Sequence, residues 1–204
     1  MLFSIAMLIT AAVFEPVVTQ QLEAPNGLPS LQVGVLSEPL TGELSSAVTA
    51  WSLSQRARFG VPATSSLKFS HAFATRFGAS FHLVQQFEGI DIDSAKLVVT
   101  LDEQGRVVQA SSSLSTYAFA RNEWNLDEPA AMQKAAAGIV LPALRGDGSS
   151  LPYGGAKKTY FAIGAELHAG YLVHVASLDY TKNWYVGVDA VTGERLFVDR
   201  KSVV

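Results

Sequence analysis

The chain has 204 residues, 49% of them hydrophobic and 16% charged, a balance that excludes general disorder and allows one large or two small domains with a buried core. Its formal net charge of −3 gives no basic footprint for nucleic acid. The absence of cysteine removes disulfides, thiolate metal sites and cysteine nucleophiles together.

Leu2 to Phe14 is an unbroken, weakly polar run of the length of a signal-peptide core, and Thr10-Ala11-Ala12 within it offers small residues where a signal peptidase could cut. Residues 1–14 therefore read as a signal peptide, although no lysine or arginine precedes the run and a buried N-terminal strand or helix is the alternative. No other stretch is apolar for long enough to cross a membrane. Residues 15–40 hold Pro16, Pro25, Asn26, Gly27, Pro29, Gly34 and Pro39 with no sustained period, and read as an extended linker or loosely packed arm.

A helix is expected from Thr41 or Gly42, with Leu44, Val48, Trp51 and Gln55 on one stripe, Trp51 as a core anchor, and Gly60 and Pro62 as its stop. Alternation returns from Ser66 to Arg76, where Leu67, Phe69, His71 and Phe73 share one side of a strand. Phe77-Gly78 turns the chain into Ala79 to Phe87, which places His82 on the opposite side from His71. From His82 to Gln109 the pattern is strand, turn, strand, turn, strand. Glu88-Gly89 makes the first reversal and Asp102 to Gly105 the second, around the β-branched run Leu97 to Leu101.

Composition changes between Thr116 and Asn122, the expected domain boundary. Asn125 to Pro129 then reads as a helix entry continued by Ala130 to Ala137, with Ile139 to Leu141 as an extension ending at Pro142. Gly146 to Ser150 is a loop. Thr159 to Ile163, Tyr171 to Val175 and Trp184 to Val188 read as strands, and Asp189 to Gly193 turns the chain into a last strand from Arg195 to Val198. The fold class expected is α+β: two small units, each an antiparallel meander braced by a helix, over residues 41–118 and 122–200.

Reactive constellations are scarce. Asp91 and Asp93 are the nearest to a carboxylate pair, and beside Gly89 they read as a solvated turn. His71, His82, His168 and His174 never fall at metal-binding helical spacing and read as structural residues; Arg56/Arg58 and Lys157/Lys158 read as solvated surface. There is no Gly-x-Ser-x-Gly elbow and no phosphate loop, so no catalytic, cofactor-binding or metal residue is assigned and the chain does not read as an enzyme.

His82-Leu-Val-Gln-Gln-Phe-Glu-Gly-Ile-Asp-Ile-Asp93, followed by Ala95 to Val108, resembles the fungalysin/thermolysin propeptide domain. Asp91 stands where that family usually has proline, and Asp93 where it often has an aromatic or small residue. The later part, Tyr171 to Val175 and Trp184 to Leu196 behind the helix at Leu126 to Ala137, looks like a PepSY domain. The resemblance makes Gln85, Gln86, Gly89, Asp102, Gly105, Asp189 and Gly193 the structural motif and assigns no protease-contact residue. It implies a propeptide that assists folding of an exported zinc metallopeptidase and inhibits it, in cis as a precursor fragment or in trans. Periplasmic or extracellular location is expected, with no cofactor, no nucleic-acid partner and no membrane association after signal cleavage. An exported PepSY-type binding module without a protease partner is the alternative.

Overall fold

A computed structural model describes residues 14–139, 155–176 and 182–202; the expected signal peptide (but for Phe14), the end of the expected helix extension and the loop at Gly146 to Ser150 lie outside them. Over the described residues the protein is mostly β-sheet with two helices, an α+β fold. Its strands are β1 (Val17–Glu23), β2 (Pro29–Val35), β3 (Ser65–Thr75), β4 (Gly78–Phe87), β5 (Ile90–Asp102), β6 (Val107–Ser112), β7 (Phe119–Arg121), β8 (Ala156–Ile163), β9 (Glu166–Ala176), β10 (Lys182–Asp189) and β11 (Arg195–Ser202). The helices are α1 (Leu44–Ser54) and α2 (Glu128–Ala136).

The first six strands pair antiparallel in the order β1-β2-β6-β5-β4-β3, and β8-β9-β10-β11 continue from β5 through a short parallel pairing at Ile92 and Tyr160. β7 lies parallel on the start of β9. Two apolar clusters result. Val48 of α1, Phe59 and Val61 pack with Leu67, Phe81, Leu83, Leu97, Val99, Leu101, Val107 and Ala110. Ala131 and Ala135 of α2, one turn apart, present small side chains to Leu167, Ala169, Tyr171, Val173, Val186 and Val188, so the helix can sit close on the sheet.

Within residues 15–40, where a linker or arm is expected, residues 17–35 form a hairpin. β1 and β2 reverse at Ala24 to Leu28, and β2 pairs with β6 from Leu31↔Ser111 to Val33↔Gln109. The prolines that argued for a linker stand at the first residue of β2 or outside the strands, where a missing N–H costs no ladder bond. The first helix starts later than expected, at Leu44, because the Glu43 carboxylate accepts the Ser45 and Ser46 N–H groups; it ends at Ser54, and Gln55 to Gly60 continue as turns. The second starts behind an Asp127 cap with Pro129 in its first turn and closes before Gly138, whose φ of +73° ends it ahead of Ile139.

β5 departs most from a regular ladder. Val84 pairs with Lys96 and Gln86 with Asp91, so one residue of β4 faces the four residues Ile92 to Ala95 of β5. At the crest Ser94 has φ +59°. This excursion carries Ile92 and Ala95 into the α2 cluster, while Leu97, Val99 and Leu101 of the same strand stay in the α1 cluster.

Candidate partner-binding surface

The motif residues are spent on holding the scaffold. Gln85 is fully buried opposite the excursion; its Nε2 donates to the Ser65 Oγ and to the Ser115 carbonyl, both at 2.9 Å, and its Oε1 accepts the Ser115 N–H at 2.7 Å. Ser65 in turn bonds Tyr117 at 2.8 Å, which pins the crossing from β6 to β7. Gln86 donates to Asp91 at 2.7 Å. Glu88 and Gly89 both have positive φ, +49° and +79°, as a two-residue hairpin loop between Phe87 and Ile90 requires.

The two aspartate-glycine turns share a plan. In the first, the Asp102 carboxylate accepts the N–H groups of Gln104 and Arg106 and the Arg106 guanidinium at 2.8 Å, and Gly105 closes it at φ +77°. In the second, Asp189 accepts the N–H groups of Val191 and Thr192 at 2.8 Å, and Gly193 closes it at φ +73°. Burial would raise both carboxyls, but these hydrogen bonds outweigh it and hold both below the usual range.

Asp91 corrects the expectation of a solvated turn. It lies within β5, half-buried, and joins the two parts of the sheet: its carboxylate takes Gln86 and the Lys157 ammonium at 2.5 Å, and its carbonyl takes the Thr159 hydroxyl at 2.8 Å. Burial acts to raise its pKa; the bonds from Lys157 and Gln86 prevail and lower it. Lys157 itself stays exposed, and Lys158 lies over the Trp124 ring at 4.7 Å.

The histidines are arranged otherwise than the alternation predicts. A bulge between Phe69 and His71 turns the rest of β3 over, so His71 pairs with His82 and the two rings stack at 4.4 Å with Phe73 beside them. They line a cleft of about 340 Å³ with Asp91, Asp93, Lys96 and Lys157. The carboxylates there are engaged away from the imidazoles, Asp91 as described and Asp93 by the Ser94 hydroxyl. Burial, then the neighbouring His71 and Lys96, push the His82 pKa down. His168 sits between Glu166 and Asp189, and His174 stacks on Tyr185 at 4.8 Å. Among the described residues no group of three or more His, Asp or Glu side chains is placed to hold a metal, and no helix is long and apolar enough to cross a membrane.

Phe73 and Phe77 are 50% and 69% exposed at one end of the sheet, and Val17 and Leu22 are exposed on β1 at the other.

Residues 79–114, which run from β4 through β6, match the family described as Fungalysin/Thermolysin Propeptide Motif. No curated protein matches the chain. Among solved structures, the YpeB C-terminal domain of Bacillus megaterium is similar with a TM-score of 0.39 and 14% sequence identity, over 87% of this chain and 74% of that one.

Proposed function

We propose that this protein is a propeptide-like module that assists the folding of an exported zinc metallopeptidase of the fungalysin/thermolysin type and holds it inactive. In this reading residues 41–118 form the propeptide-type unit, residues 122–200 a PepSY-like unit, and residues 1–14 the export signal. The observation that carries it is the family match over residues 79–114, which falls on the meander built around Gln85 and its two hairpin turns. The physics of such a role needs a preformed surface and no reactive group. A module that binds the native peptidase and not its unfolded chain stabilises it by mass action, and strand edges supply main-chain bonding for recognition.

The test is to refold a chemically denatured thermolysin-type peptidase catalytic domain from the same organism with and without this chain, and then to assay proteolysis against increasing chain. A higher yield of native enzyme together with dose-dependent loss of activity is expected. Equal refolding yields and full activity at large molar excess would sink the reading.

A further inference from the structure

From Leu44 to Phe87 the chain contains no aspartate or glutamate, while Arg56, Arg58, Lys68 and Arg76 give it +4. The whole chain carries −3, so the remaining residues carry −7, the difference between the two. This segregation is structural as well as sequential. The acid-free stretch is α1, β3 and β4, at one end of the sheet, and among the described residues β3 pairs only with β4.

Sheet edges are usually guarded by proline, inward charge or a bulge, because an open row of N–H and C=O groups recruits other strands. β3 has its bulge at Ser70, before its outer half. Past it, His71, Ala72, Phe73 and Ala74 are all exposed, with neither proline nor a carboxylate among them. Lys68 and Arg76, both exposed, bracket this open segment eight residues apart, roughly 27 Å in an extended strand. Arg56 is committed to the carbonyls of Ala63 and Ser65 and Arg58 lies in the turns after α1, so Lys68 on β3 and Arg76 just past it, over the Phe77 ring at 5.3 Å, are the charges at the edge.

We infer that the His71–Thr75 edge of β3 accepts an extended, acidic segment of a partner protein as an added strand, apolar at its centre over Phe73 and bearing carboxylates near both ends opposite Lys68 and Arg76. Main-chain hydrogen bonds hold the segment, the exposed phenylalanine gives it an apolar seat, and the two cations fix its placement. That the partner is the metallopeptidase rests on the function proposed above; the edge itself does not.

The probe is a fluorescein-labelled peptide, Glu-Glu-Val-Tyr-Val-Tyr-Val-Glu-Glu, compared with the same peptide carrying lysine in place of glutamate. Binding is read by anisotropy at low and at 300 mM salt, and its position by amide hydrogen exchange. The acidic peptide is expected to bind, to weaken in high salt, and to slow exchange within residues 71–75. Lys68→Glu combined with Arg76→Glu is expected to weaken it about tenfold, and Phe73→Ser to weaken it without changing any charge at the edge. No binding, equal binding of both peptides, or protection elsewhere would overturn the proposal. The same variants are then assayed against the peptidase. Equal inhibition by wild type and variants overturns the assignment of this edge to that enzyme, while an edge that binds peptide in a chain that never inhibits overturns the proposed function and leaves the edge standing.

Discussion

The Gln85 carboxamide meets the Ser115 backbone as a neighbouring strand would, donating to its carbonyl and accepting its N–H. The excursion of β5 opens the ladder at this level, and the side chain bonds the connection that leaves β6. Replacing Gln85 by leucine leaves the Ser115 N–H and C=O without their partner, while the Ser65 hydroxyl keeps Tyr117. A loss of about 2–3 kcal/mol is expected. Urea unfolding measures it, and an unchanged midpoint would show that the clamp adds nothing.

Asp91 and Lys157 make an ion pair whose two halves are unequal. Lys157 is 65% exposed on its side chain, so Lys157→Ala is expected to cost less than about 1 kcal/mol and to lose its effect in high salt. Asp91→Ala also strands the inward Gln86 amide, so it should cost more, about 1–3 kcal/mol, at any ionic strength. Denaturation of both variants at two salt concentrations distinguishes them. Equal, salt-sensitive losses would mean that Gln86 contributes nothing.

His82 is held toward its neutral form by burial, by His71 and by Lys96. A folded-state pKa below the ordinary value of about 6.5 means that this histidine contributes stability above that pH, lost as pH falls through its folded value. An NMR titration should place the His82 midpoint below 6.5, with His71→Ala and Lys96→Ala each moving it upward. A midpoint at or above the ordinary value would contradict the packing around the ring.

Asp91, Asp102 and Asp189 all have lowered pKa values, each because hydrogen bonds outweigh burial. The stability they contribute is fully present above the ordinary aspartate value of about 3.9 and is lost as pH falls through their lower folded values. Acid unfolding should therefore steepen below about pH 4. Asp189→Asn keeps an acceptor for the Val191 and Thr192 N–H groups but removes the charge facing His168, and is expected to flatten that limb. Asp189→Ala removes the turn's acceptor altogether and should cost about 2–3 kcal/mol at neutral pH. Acid limbs identical in wild type and Asp189→Asn would refute the assignment.

The meander from β4 to β6 and both aspartate-glycine turns are legible in the sequence because their signals are local: alternation, a β-branched run, and turn residues at fixed spacing. What escapes is set by partners distant in the chain. Pro29 reads as a breaker until β6 is known to pair with the strand that it begins. His71 falls on the wrong face until the bulge at Ser70 is known, and no periodicity announces a bulge. Asp91 reads as part of a turn because Lys157 and Thr159, which engage it, lie more than sixty positions away. The motif marks Gln85, but its partners Ser65 and Ser115 carry no pattern of their own.

Because Ile92 and Ala95 belong to one hydrophobic cluster and Leu97, Val99 and Leu101 to the other, β5 is a shared beam rather than property of either half. Cutting the gene between Thr116 and Asn122 would leave the downstream fragment without two of its innermost side chains, so that fragment should not fold with native cooperativity. The intact protein should instead melt in one transition, and a working downstream truncation would have to carry a second copy of that beam.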